Sequence, residues 1–175
     1  MTLSARPTRR AVLGALAAAP LAACATGAPA PAVRRFRAVT IDAGPFAAKG
    51  VPNYAARVAE AARAAIPSAF AGRLDPSDRN APTLVIEIAG VSLAAWTGSG
   101  RSPFTMGVGA GDATDWMDGA LVVRAPSGAV IDRRPHISSR AAASSGAWYD
   151  PENETRRMRD LAALYVAWAA KEYGD

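Results

Sequence analysis

With one Cys and one His among 175 residues, the chain has no second thiol for a disulfide and no second imidazole to share a zinc ion. Its formal net charge of +5 comes mostly from one end: residues 1–23 hold Arg6, Arg9 and Arg10 and no acid, so the rest carries only +2. Nucleic-acid binding thereby loses its main support. Arg is abundant while Lys occurs only at positions 49 and 171, which reads as genome base composition rather than selection for phosphate contacts.

The three arginines precede a wholly uncharged run, Ala11 to Ala23, the basic-then-apolar order of an export signal over residues 1–23. Thirteen helical residues rise about 20 Å against a hydrocarbon core of about 30 Å, so a permanent transmembrane span is not expected. The run ends in Leu21-Ala22-Ala23-Cys24, which resembles the lipobox of bacterial lipoproteins. That resemblance implies cleavage between Ala23 and Cys24 and a diacylglycerol and palmitate-type acyl chains on the Cys24 thiol. The competing readings, an incidental Cys or a buried core Cys, have to place the chain's one thiol at the motif's required position by chance. Thr8-Arg9-Arg10-Ala11-Val12-Leu13 is also similar to the twin-arginine export motif, through Arg9 and Arg10, with the general secretory route as the alternative. Two or three long acyl chains, at about 0.8 kcal/mol per buried CH₂, exceed what stable anchoring needs. Ala25 after the Cys resembles the pattern that passes lipoproteins to the outer membrane. The expected location is the cell envelope, on an outer-membrane anchor facing the periplasm, with the inner membrane as the alternative.

Residues 24–33 read as the lipidated Cys and a flexible tether, ATGAPAPAV after Cys24, reaching roughly 28 Å at about 3.1 Å per residue. Residues 34–175 then form one expected domain of about 140 residues, enough for its own core. Arg35 to Ile41 alternates, with Phe36, Ala38 and Thr40 on one side and Arg37, Val39 and Ile41 on the other, until Gly44-Pro45 stops this first strand. From Val51 the period changes: Val51, Tyr54, Val58, Ala62, Ile66 and Phe70 make an amphipathic helix. Pro67 inside it predicts a kink or a short second helix, closing by Gly72. After the polar loop Asp75 to Pro82, Thr83 to Leu93 reads as a second strand, with Leu84, Ile86 and Ile88 on one face.

Ala120–Arg124 and Ala129–Arg133 read as strands three and four, joined through Ala125-Pro126-Ser127-Gly128 and paired antiparallel. Asp150-Pro151-Glu152 predicts an N-cap with Pro at the first helical position. Met158, Leu161, Ala162, Tyr165, Trp168 and Ala169 follow at helical spacing, and Gly174 is the stop. The expected fold is α+β (or α/β), a small mixed sheet of about four strands with two main helices on one face, in the order β-α-β-β-β-α.

Taken in order, the lipobox, the strand-helix opening, the Thr83–Leu93 strand, Gly107-Val-Gly109-Ala-Gly111, the Ala-Pro-Ser-Gly hairpin and the closing Ala-rich helix resemble small bacterial envelope lipoproteins of unknown function. More distantly the order is similar to the amino-terminal domain of the Tol-system translocation protein and to auxiliary lipoproteins of envelope transporters and secretion channels. The resemblance spans the chain from Cys24 onward and implies a non-enzymatic adaptor in an envelope assembly or transport complex. Its partners would be the membrane, through the lipid on Cys24, and an envelope protein. These are patterns of fold and not of chemistry.

Chemistry is sparse. His136 follows Arg133, Arg134 and Pro135 and is expected to be an exposed edge residue; a hydrolase using it with Asp132 or Ser138 is the weakest functional reading. The glycines at 107, 109 and 111 lead toward a strand and not into a helix, which argues against a phosphate loop. Asp112, Asp115 and Asp118 lack the one-three-five spacing of a calcium loop and read as solvated loop acids. No metal or cofactor is expected. The long segment Ala95 to Met117 carries Trp96, Phe104, Met106 and Trp116 as possible partner contacts; the plainer reading has them covering the sheet edge or core. Arg156, Arg157 and Arg159 read as a mixed charged face, with docking onto anionic lipid as the weaker option, and Trp148 and Tyr149 as a staple at the start of the last helix. The rival to the adaptor is a small-ligand or lipid-binding module, which requires an apolar pocket between sheet and helices.

Overall fold

The computed structural model describes residues 35–94, 114–147 and 149–174. In chain order these form β1 (Ala38–Asp42), a short α1 (Gly44–Ala47), α2 (Pro52–Ala69), β2 (Thr83–Ser92), β3 (Thr114–Arg124), β4 (Val130–Ala141), a 3₁₀ turn (Ala142–Ser145) and α3 (Asn153–Glu172). The strands lie side by side in sequence order. β1 runs parallel to β2, with α2 in the crossover that a parallel pair demands, and β2, β3 and β4 are antiparallel. This is the expected α+β order.

One face of the sheet builds the core. Leu84, Ile86 and Ile88 of β2 are fully buried, and the register sets Val39 and Ile41 of β1 beside Leu84 and Ile86 on one flank and Val123 and Leu121 of β3 on the other. Onto this face α2 lays Ala55, Val58 and Ala62, and α3 lays Met158, Leu161, Ala162, Tyr165, Val166 and Ala169. Each fully buried large aliphatic stabilises the fold by about 1.5–3 kcal/mol.

Tyr165 reaches from α3 into the sheet. The register of β2 on β3 shifts between Ile88 and Gly90, a bulge that leaves the Glu87 carbonyl to accept a hydrogen bond from the Tyr165 hydroxyl at 2.8 Å. The strand opposite has to be Gly there, because a Cβ on Gly119 would lie 2.0 Å from that carbonyl oxygen and 2.7 Å from the hydroxyl. Burial pushes the Tyr165 phenol well above its ordinary value, and Asp118 and Glu87 add to the effect. At the C-terminal end of α3, the Arg73 guanidinium donates to the carbonyls of Ala170 and Tyr173, placing a cation at the negative pole of the helix.

Several elements depart from the sequence reading. Alternation starts only at Ala38: the chain bends at Arg37, and Phe36 is buried, bridging Leu74 and meeting Phe70 and Tyr173 edge-on at 6.1 and 5.6 Å. α2 passes through Pro67 without breaking, because Pro67 falls in its last turn and ends the ladder three residues later. β3 begins at Thr114 and not at Ala120, and β4 continues to Ala141 and not to Arg133. Their polar residues hid a strand because only one face of it meets the helices. α3 starts at Asn153; Asp150 caps the turn before it, accepting from the Glu152 amide at 2.9 Å. That bond first, and Arg156 second, hold the Asp150 carboxyl below the usual carboxylate range.

Candidate functional site

Two features flank the ends of segment 95–113, which itself lies outside the described residues. The first is a buried ion pair. Asp115, near the start of β3, faces the helices and takes a two-pronged contact from Arg157 in the first turns of α3, Nε to Oδ2 at 2.9 Å and Nη2 to Oδ1. The Arg157 and Asp115 side chains are only 6% and 2% exposed. Ala94, just beyond β2, closes the arrangement: its amide donates to Asp115 Oδ1 at 2.9 Å and its carbonyl accepts from Arg157 Nη2 at 2.7 Å. The backbone on both sides of the segment is thus fastened to α3 by one charged cluster in which both ions find hydrogen-bond partners, the condition for holding a buried pair. Tyr54 stands beside it with Arg57 over its ring at 5.2 Å; burial, and then Glu154, raise the Tyr54 phenol above its ordinary value.

The second feature is the face of the sheet away from the helices. Strand alternation sends Met117 into the core and its neighbour Trp116 outward, where it is 46% exposed. Asp118 pairs with Ile137 and Trp116 with Ser139, which makes Trp116 and Ile137 diagonal neighbours roughly 7–8 Å apart on one face. Ile137 is 62% exposed. Further along the same face the Arg133 guanidinium forks onto the Glu87 carboxylate at 2.9 and 2.6 Å. Since Glu87 pairs with Ala120 and Arg133 with Val122, this ion pair crosses β3 above two small apolar side chains, both buried.

The candidates from the sequence fare differently. Trp116 is presented outward. Trp96, Phe104, Met106, Gly107, Gly109, Gly111, Asp112 and Trp148 lie outside the described residues, as do Arg9, Arg10, Ala23 and Cys24. His136 is not an exposed edge residue. β4 is an edge strand, but His136 points to the helix side and is 6% exposed, its ring tilted against the Tyr165 ring at 4.4 Å between centroids with Nε2 3.0 Å from the Tyr165 carbonyl. A carbonyl only accepts, so Nε2 carries the proton. Asp132 is engaged elsewhere, by Arg134 at 2.8 Å and the Tyr173 hydroxyl at 3.0 Å, and Ser138 Oγ is buried without a partner; the three do not assemble as a catalytic relay.

Asp115 is no solvated loop acid, and it and Asp118 sit on opposite faces of β3, so no calcium loop forms between them. Among the described residues no group of three or more His, Cys, Asp or Glu side chains is placed to hold a metal ion. The arginine triplet forms the expected mixed charged face only in part: Arg157 is buried, while Arg156 binds the Ser145 carbonyl at 3.0 Å and Asp150 at 2.8 Å and Arg159 is exposed. Tyr149 is 76% exposed, outside the core on which α3 packs. The space between sheet and helices is filled by Leu84, Ile86, Leu121, Val58, Leu161 and Tyr165, which counts against an internal ligand pocket. The sequence held one overlooked signal for the ion pair: Arg157 lies four residues before Leu161 and eight before Tyr165, on the apolar stripe of α3, where a charge needs a buried partner.

No protein-family model matches the chain, and no curated protein does. Among solved structures it is similar to a minor lipoprotein from Acinetobacter baumannii, at 11% identity and a TM-score of 0.37, over 78% of this chain and 87% of that one.

Proposed function

We propose that this protein is a lipoprotein, tethered on the periplasmic side of the cell envelope through Cys24, whose α+β domain is a non-enzymatic adaptor for an envelope protein. The observation that carries the adaptor reading is the exposure of Trp116 and Ile137 as neighbours on the sheet face away from the helices. A Trp held on a rigid strand is a typical binding anchor, and the filled interior turns function toward the surface. The lipobox Leu21-Ala22-Ala23-Cys24 supports the tether, with residues 1–23 as the removed signal, 24–33 as the spacer, and Arg9 and Arg10 as the export motif. Ala25 favours the outer membrane. Trp96, Phe104 and Met106, partner contacts by the sequence reading, are proposed to take part in the same recognition.

Two experiments test this. Cells fed an alkyne palmitate analogue label the wild-type protein and not Cys24→Ser, and density-gradient fractionation then places the labelled form. An unlabelled wild-type protein sinks the tether. A photo-crosslinking amino acid at Trp116 or Ile137 is expected to trap one reproducible envelope protein in intact cells, while the same probe at the exposed Arg159 on α3 traps none. No reproducible product from either sheet position, with the purified protein monomeric, overturns the adaptor.

A further inference from the structure

The two edges of the sheet are built differently. β4 carries Pro135, which has no amide proton, together with Arg133, Arg134 and Arg140, the devices that keep an edge strand from recruiting another. β1, Ala-Val-Thr-Ile-Asp, has neither Pro nor a basic residue. Among the described residues it hydrogen-bonds to one strand only, β2.

Along this second edge runs an open groove of ≈ 340 Å³, lined by Val39, Thr40 and Ile41 of β1 and by Arg63, Ile66 and Pro67 of α2. Consecutive strand residues point to opposite faces, so three in a row line a groove only where its wall is the strand's own edge, with its alternating donors and acceptors. The opposite wall adds an apolar side chain, Ile66. Pro67 lacks an N–H and so leaves the Arg63 carbonyl without its partner four residues on. Among the described residues the groove has one charge, Arg63, which makes no ion pair, and no acid lines it.

We propose that this groove receives an extended segment of the partner protein, which adds as one more strand beside β1. An apolar side chain of that segment enters between β1 and Ile66, and an Asp or Glu of it meets Arg63. A strand edge matches only another backbone in its spacing of donors and acceptors, which is why an extended peptide fits and a lipid headgroup does not. The volume is at the small end of ligand sites and suits a side chain rather than a cofactor. The lone cation sets the sign of the charge the occupant brings. This inference rests on the adaptor reading and names the chemistry of its partner.

The test uses the full chain purified in detergent and three capped fluorescent octapeptides of alternating Val and Thr, one with a central Glu, one with Lys there, and one with Glu and alternate amides N-methylated. Fluorescence anisotropy is expected to show the Glu peptide binding roughly fivefold more tightly than the Lys peptide, and the N-methylated peptide at least about tenfold more weakly. Arg63→Glu, an exposed position, is expected to reverse the Glu-over-Lys order with an unchanged circular dichroism spectrum. Equal binding of all three peptides, an order untouched by Arg63→Glu, or no binding up to millimolar peptide overturns the proposal. Crosslinks from Trp116 to an envelope protein together with silent peptides would remove the groove and leave the adaptor standing. Ordered peptide binding without any envelope partner would do the reverse.

Discussion

Replacing Arg157 by Met strands a carboxylate that is 2% exposed, leaving Asp115 with the Ala94 amide as its remaining hydrogen-bond donor in this cluster. Removing one partner of a buried pair costs about 3–5 kcal/mol, because the remaining charge stays desolvated. For domains of this size each kcal/mol moves Tm by about 2–4 °C, so the single variant is expected to melt roughly 10 °C lower. Asp115→Leu alone should cost a similar amount by stranding the guanidinium. The double variant, with both charges gone, should recover most of the loss and retain only the cost of unpaired Ala94 groups, about 1–3 kcal/mol. Thermal unfolding of the four proteins by far-ultraviolet circular dichroism at neutral pH completes the cycle, and hydrogen exchange at the Ala94 amide should speed up in both singles. A drop below about 3 °C for Arg157→Met, or a double variant as unstable as the sum of the singles, would show that the pair does not hold the sheet end to α3.

Gly119→Ala puts a methyl 2.0 Å from the Glu87 carbonyl oxygen and is expected to cost about 3 kcal/mol in urea unfolding or to prevent folding; wild-type stability would refute the bulge geometry. His136→Ala opens a void against the Tyr165 ring and should cost about 2–4 kcal/mol, a loss read from the same urea midpoints and absent if His136 is exposed. The phenols of Tyr165 and Tyr173 are both raised, by burial first, so an unfolded Tyr releases its proton, near pH 10, before the folded ones do. The stability these two phenols contribute is therefore fully present below about pH 10 and falls as pH rises beyond it. Melting curves at about pH 8 and pH 11 should show this fall, and Tyr165→Phe with Tyr173→Phe should flatten it.

Alternation and helical spacing were enough to locate β2, α2 and α3 and to place Leu84, Ile86 and Ile88 on the inner face, because each of these elements turns one apolar face to the core. They under-read β3 and β4, whose outer faces meet no helix and carry Asp118, Arg133 and Ser139. The bend at Arg37 broke the alternation that had grouped Phe36 with Ala38 and Thr40, and His136 looked exposed because its sequence neighbours are arginines.

What the sequence determined by itself was local: the basic-then-apolar order of residues 1–23 with the single Cys at position 24, the charge of the remainder, the periods, and the α+β order they imply. The pairing of Asp115 with Arg157, 42 residues apart, the seat of Tyr165 over Gly119, and the contrast between a guarded β4 edge and a β1 edge that is open among the described residues were decided only by the tertiary structure. Each depends on which strand lies beside which and which face meets a helix. Those relations join residues distant in the chain, and no local pattern of side chains encodes them.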